Sequence, residues 1–187
     1  MAPLRHKKGY AVQQITFSLS GKSKLRAWKP GYIQPALILG FNLREAQTLA
    51  KLHDGLVDEQ IVHNLVVNTG KYFVADRLLD NETVGLTYHA IGTDATNPTL
   101  FDTSLGAEAT RKIFSLRERV ANIITLSVFY LASECPYNIK EVGIFGGSTA
   151  TATLGSGTLF SHFLQSKDNT GGIVDLTFDY ELEVKGN

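Results

Sequence analysis

Chemistry at a protein site needs a nucleophile with its base, a metal cluster, a phosphate cradle or a pair of opposed carboxylates. The sequence carries residues of each type without the spacing that would join them. Its five histidines, His6, His53, His63, His89 and His162, show neither an H-x-x-x-H nor an HExxH interval, the spacings that put two rings on one helix face. His63 and His89 fall on strands expected to be neighbours, where the two rings could meet, an arrangement that chance satisfies easily. The single cysteine, Cys135, precedes Pro136 and has no basic residue close in sequence, so a small buried hydrophobe is the expectation. There is no G-x-S-x-G, no GxxxxGK[ST] and no calcium-loop spacing of acids. Asp175 and Asp179 come nearest to a carboxylate pair, but they alternate along one strand face and are expected to point into solvent. The Gly- and Thr-rich run from Gly146 to Gly157 joins strands and opens no helix, which reads as a mobile hairpin loop. Catalysis, a metal, a cofactor and a small-molecule substrate are therefore not expected.

Charged residues carry more information than nucleophiles do. Glu108 and Arg111 stand three apart inside Leu105–Lys112, which reads as a brief helical turn that would let them pair. Glu141 opens Glu-Val-Gly143-Ile-Phe145, a strand whose Ile and Phe should occupy opposite faces. The expectation is that Arg111 joins Glu108 or Glu141 and fixes a loop against a sheet. The alternative is a set of solvated surface charges, where an ion pair is worth only about 0–1 kcal/mol.

Over the whole chain, 18 basic and 18 acidic residues cancel, but they are not mixed. Residues 1 to 44 hold Arg5, Lys7, Lys8, Lys22, Lys24, Arg26, Lys29 and Arg44 and no acid at all. The other 143 residues hold ten basic and eighteen acidic side chains, a division of +8 against −8. Tyr10, Trp28 and Tyr32 are interspersed among the basic residues. Residues 1–41 thus read as a basic extended arm that seeks an acidic surface, which another copy of the chain could offer. Single-stranded nucleic acid is the competing partner for such a mixture of cations and aromatics.

The elements that must position these residues follow from periodicity. Lys29-Pro-Gly-Tyr32 is a turn. Asn42 and Glu45 have capping-box spacing ahead of Leu43, Ala46, Leu49 and Ala50, which predicts a helix near 43–53. A second helix is predicted near 70–79, after a strand over 60–67. Strands follow over 84–91, 119–131, 139–145, 159–164 and 173–184. In the last, Val174, Leu176, Phe178, Tyr180, Leu182 and Val184 alternate with Asp175, Thr177, Asp179, Glu181 and Glu183, which predicts one core face and one acidic solvent face. The fold class is mainly β (α+β): an antiparallel β-sandwich-like domain over 42–187 with one or two helices. The longest apolar run, Asn122–Ala132, is interrupted and too short to span a bilayer, so no membrane is expected.

Several stretches occur in a recognisable order: Val66-Val-Asn-Thr-Gly70, Tyr88-His-Ala-Ile-Gly-Thr-Asp-Ala-Thr-Asn-Pro98, Ser104-Leu-Gly-Ala-Glu-Ala-Thr-Arg111, Ile139-Lys-Glu-Val-Gly-Ile-Phe-Gly146 and Gly157-Thr-Leu-Phe-Ser-His162. With the strand that follows them, residues Leu65 to Val184 resemble a module of tailed-bacteriophage structural proteins. Tail-collar fibre N-terminal regions and fibre or baseplate adaptors are among its members. The resemblance implies a non-enzymatic virion protein, made in the bacterial cytoplasm, with Glu108, Arg111, Glu141, Gly143 and Phe145 as scaffold. Fibre proteins continue into long shafts after this module and this chain stops at Asn187, which argues against a receptor-binding tip and favours an adaptor, collar or decoration role in the tail, baseplate or collar. The alternative within the class is a capsid cement or head-fibre-base protein. Expected partners are further copies of the chain, as a trimer or a larger ring or lattice, and neighbouring virion proteins. Arg5, Lys7, Lys8, Tyr10, Lys22, Lys24, Arg26, Trp28, Lys29 and Tyr32 would form the assembly arm. A small glycan-binding domain using exposed aromatics is a reading from another class.

Overall fold

In the computed structural model, which describes residues 17–186, alternating apolar residues build ten strands that pair into two antiparallel five-stranded sheets. In chain order the strands are β1 (Phe17–Trp28), β2 (Leu56–His63), β3 (Leu65–Val66), β4 (Leu86–Gly92), β5 (Glu108–Ile113), β6 (Leu116–Val120), β7 (Ile123–Tyr130), β8 (Asn138–Gly146), β9 (Thr158–Asp168) and β10 (Asp175–Gly186). The helices are α1 (Gln34–Ile38), α2 (Leu43–Leu52) and α3 (Asn68–Leu78), with one 3-10 turn at Ala132–Glu134. The first sheet runs β2-β1-β10-β7-β6 and the second β3-β9-β8-β4-β5. Their inner faces meet in one core that includes Leu25, Leu126, Val128, Phe178, Tyr180, Ile91, Ile144, Phe160 and Phe163. The mainly β, sandwich-like class read from the sequence is the class observed.

The arm boundary at residue 41 is overturned. Residues 17–28 form the longest pairing among the described residues, with β1 between β10 and β2 and twelve residues in register with β10. Leu25 and Ala27 point into the core, and Trp28 is 0% exposed. Lys22, Lys24 and Arg26 point to the other face, beside the acidic residues of β10: Lys22 pairs with Glu181 at 2.8 Å, and Lys24 stands in register with Asp179. Arg26 binds Asp179 and donates from Nε to Glu59 at 2.6 Å. The complementarity of basic and acidic segments is thus met within one chain, because it orders two strands of the same sheet. Arg5, Lys7, Lys8 and Tyr10 lie outside the described residues.

A second correction concerns the outer face of β10. Asp175 is 1% exposed and Thr177 0%, where solvent was expected. Over Thr177 the cause is a layer in which Ile33 and the α1 and α2 residues Ala36, Leu43, Ala46 and Ala50 cover Trp28 and Phe129 on the outside of the first sheet, while Asp175 is enclosed by the Gly31 and Ala132 segments. The indole Nε1 of Trp28 donates to Thr177 Oγ1 at 2.9 Å, and Asp175 accepts from the Ala132 amide at 2.8 Å. Helix α2 starts as its sequence predicts: Asn42 Oδ1 accepts from the Glu45 amide at 3.0 Å while Glu45 accepts from the Asn42 amide at 2.9 Å. Helix α3 starts two residues before the predicted boundary, and the expected strand over 60–67 divides into β2 and β3, which lie in different sheets. The expected strand over 119–131 is a hairpin, β6 and β7, turned at Ala121, whose φ of 52° is the left-handed conformation such turns need.

His63 and His89 do not meet, because β2 and β4 belong to different sheets. His89 lies in the core, its ring 4.4 Å from that of Phe178. The Tyr130 hydroxyl donates to the His89 carbonyl at 3.0 Å, so its oxygen accepts from His89 Nδ1 at 3.1 Å, and Nε2 has no partner. Burial pushes the pKa of this imidazole down to about 3, and the ring is neutral. An unfolded histidine takes a proton near pH 6.5, so acid favours the unfolded chain. We expect about 2 kcal/mol of unfolding free energy to be lost between pH 7 and pH 5, read from urea titrations, and His89→Phe to remove that loss. An equal loss in both proteins would show that His89 is not the group responsible.

Candidate functional site

The outer face of the second sheet carries the densest polar constellation, and it gathers all five residues expected to form a scaffold. Gly143 and Phe145 of β8 lie beside Ala90 of β4, with Leu105 and Leu159 in the same cluster. Gly143 allows this packing, since a Cβ there would stand 2.9 Å from Leu105 Cδ2. Two loops cover the face, one over 93–107 between β4 and β5 and one over 147–157 between β8 and β9.

Glu141, 1% exposed, holds the first loop. Its carboxylate accepts from the amides of Gly106 at 2.9 Å, Ala107 at 2.7 Å and Asp94 at 3.3 Å. It also accepts from His162 Nε2 at 2.9 Å, while His162 Nδ1 meets Asp102 at 2.7 Å. Both ring nitrogens of His162 are thus engaged, one by each carboxylate. Burial raises the Asp102 carboxyl, but hydrogen bonds from the hydroxyl and amide of Thr99 and from His162 together hold it below the usual carboxylate range. Gly92 leaves room for this cradle, since a Cβ there would come 2.3 Å from Glu141 Oε1.

Arg111 holds the second loop. It takes Glu108 in a bidentate pair, Nε to Oε1 at 2.5 Å and Nη2 to Oε2 at 2.8 Å, and its Nη1 donates to the carbonyls of Ser156 at 2.8 Å and Thr151 at 3.2 Å. Glu108 in turn accepts from the Gly155 amide at 2.9 Å. The guanidinium lies 4.5 Å from the Phe145 ring centroid. The expected helical turn at 105–112 is wrong, because Glu108–Ile113 is the edge strand β5. Residues three apart on a regular strand face opposite ways. Here the register shifts at the Ile91–Gly92 step, with Ala109 as the extra residue of β5, and this bulge returns Glu108 to the side of Arg111. The 147–157 loop is therefore tied down by named bonds, not the free hairpin its composition suggests.

No family model, curated protein or solved structure matches this chain.

The geometry itself limits the chemistry. Both nitrogens of His162 are engaged by carboxylates, so neither is free to take a proton from a nucleophile. Those carboxylates sit on opposite sides of the ring, which prevents one ion from being held by all three groups. Among the described residues no group of three His, Cys, Asp or Glu side chains is arranged to hold a metal. Cys135 is fully buried, and burial pushes its thiol up to about 12. Asp175 and Asp179 each have protein partners: two backbone amides for Asp175, Arg26 and Gln47 for Asp179. Of the expected arm residues, Lys29 lies 5.9 Å over the Tyr32 ring at the turn after β1. Sequence reasoning missed Asp102 and His162; the quoted run Gly157-Thr-Leu-Phe-Ser-His162 was the available signal, but nothing in it names a carboxylate partner.

A double-mutant cycle separates the two possible partners of Arg111. The Arg111–Glu108 pair should show a coupling of about 1–3 kcal/mol in unfolding free energy, and the Arg111–Glu141 pair a coupling near zero. Sizeable coupling to Glu141 would contradict the arrangement described above.

Proposed function

We propose that the chain is a non-enzymatic structural subunit of a tailed-phage particle, in the tail, baseplate or collar, that assembles through its sheet edges and loop surfaces. The observation that carries this reading is how its buried charge is used. Glu141, His162 and Asp102, and likewise Glu108 and Arg111, are engaged in holding two long loops in fixed positions on one sheet face. A surface stabilised in this way suits a docking platform. The order of elements from Leu65 to Val184 supplies the phage part of the proposal. Among the described residues both sheets also end in strands with one unpaired side, β2 and β6 in the first, β3 and β5 in the second. Such edges can add a strand from a neighbour. Nucleic-acid binding is less well supported, since Lys22 and Arg26 are bound by carboxylates and Trp28 is buried.

The test is to count this chain in purified particles by quantitative mass spectrometry. A few to some tens of copies per particle supports the tail, baseplate or collar reading, and hundreds would move the chain to the capsid. Absence from particles would refute the proposal. Removal of residues 1–16 alone is the informative truncation, because a cut at residue 30 would delete β1 and unfold the first sheet.

A further inference from the structure

Two surface features of opposite shape and charge lie at opposite ends of α3. Near its first turn, the 93–107 loop presents Leu100 and Phe101 to solvent, and Phe101 is 83% exposed. The turn that carries them is fixed. Asp102 accepts from the Thr99 amide at 2.8 Å and hydroxyl at 2.6 Å and is gripped by His162. The Leu100 carbonyl accepts from the Asn68 amide at 2.9 Å. An exposed aromatic on a turn already ordered in this way loses little further freedom on docking, which is the property of an interface anchor.

Against the second half of α3 opens an apolar groove of about 650 Å³. Its walls include Phe73, Leu78, Leu86, Ile124, Leu126 and Leu182. Among the described residues the charged groups that line it are Arg77 and Arg117, whereas the cleft beside Phe101 is lined by the carboxylates of Asp94 and Asp102, with His162 behind them. A helix of eleven residues is roughly 16 Å long, and the hydrogen-bonded turn keeps Phe101 at the far end of it from the groove. One copy does not fill its own groove with its own Phe101.

We propose that Phe101 of one copy seats in the α3 groove of the next, with Asp94 and Asp102 facing Arg77 and Arg117 across the contact. The inference rests on the reading of this chain as a self-assembling subunit. A contact between two different patches is not self-complementary, so repeating it generates a closed ring or a filament.

The test uses the full chain in sedimentation velocity and native mass spectrometry. Phe101→Asp and Leu78→Asp alter exposed side chains, and each should leave the thermal unfolding midpoint unchanged. Each should weaken self-association by roughly 10- to 100-fold, the value of one buried large apolar side chain. Mixed in equal amounts, the two variants should form a heterodimer and nothing larger, because one intact anchor then meets one intact groove. Phe101→Cys and Leu78→Cys chains should likewise cross-link on oxidation, with the buried native Cys135 remaining unreacted. If the unaltered chain assembles and both variants assemble equally well, the head-to-tail contact is wrong while the structural reading survives. If the unaltered chain remains a monomer at every concentration, both fail. If Leu78→Cys cross-links within one molecule to a cysteine placed at Val12, the groove belongs to the chain's own first residues and the proposal is overturned.

Discussion

Replacing Glu141 by alanine should lower the unfolding free energy by about 3–5 kcal/mol, the usual cost of removing one partner from a buried charge pair. The carboxylate is almost wholly enclosed and serves four donors, three backbone amides and His162. Truncation leaves these donors unsatisfied, and the His162 ring keeps only Asp102. Urea denaturation at pH 7 measures the loss, and hydrogen exchange should show the amides of Gly106 and Ala107 opening first. A loss below about 1 kcal/mol would mean that water replaces the carboxylate without cost and that the 93–107 loop is held by something else. Because that loop presents Phe101, the variant should also self-associate more weakly.

Replacing Trp28 by alanine should cost a similar amount, about 3–5 kcal/mol, as large-to-small changes of buried aromatics do. The indole is closed between the first sheet and the α1–α2 layer, and its Nε1 bond to Thr177 disappears with it. The two accounts of the first forty residues diverge sharply at this position. A tryptophan on an arm that contacts only neighbouring molecules would leave the stability of the isolated chain untouched. One that joins a sheet to its covering helices cannot. Thermal or urea unfolding of the isolated variant decides between them, and an unchanged midpoint would restore the arm.

Strand β10 and helix α2 were legible because their signals are local. Alternation needs only consecutive residues, and the capping box of Asn42 and Glu45 needs only four. Strand β1 was not legible as a core strand, because its main partner lies some 150 residues further along the chain and its lysines mimic a solvated tail. The charge asymmetry was real, and its complement was correctly sought in an acidic surface; the surface is β10 of the same molecule. At the site, Arg111 and Glu108 were visible as a pair, but the bulge at Ala109 that lets a strand bring them together leaves no mark in composition. The Asp102–His162–Glu141 cluster draws on three separate segments that no periodicity relates. The cover over Asp175 and Thr177 was also hidden, since alternation reports which residues share a face and not what packs on it.

The pairing of β1 with β10 has a consequence for biosynthesis. Sheet positions in the middle of β2-β1-β10-β7-β6 are taken by the first and last described strands, so β1 leaves the ribosome long before the strand that must sit beside it. Leu25, Ala27 and the residues of β7 wait without their central neighbour until translation has passed residue 186. Such distant pairings close late and slowly. A polypeptide released before residue 175 would carry two detached strand pairs, β1 with β2 and β6 with β7, in place of that sheet.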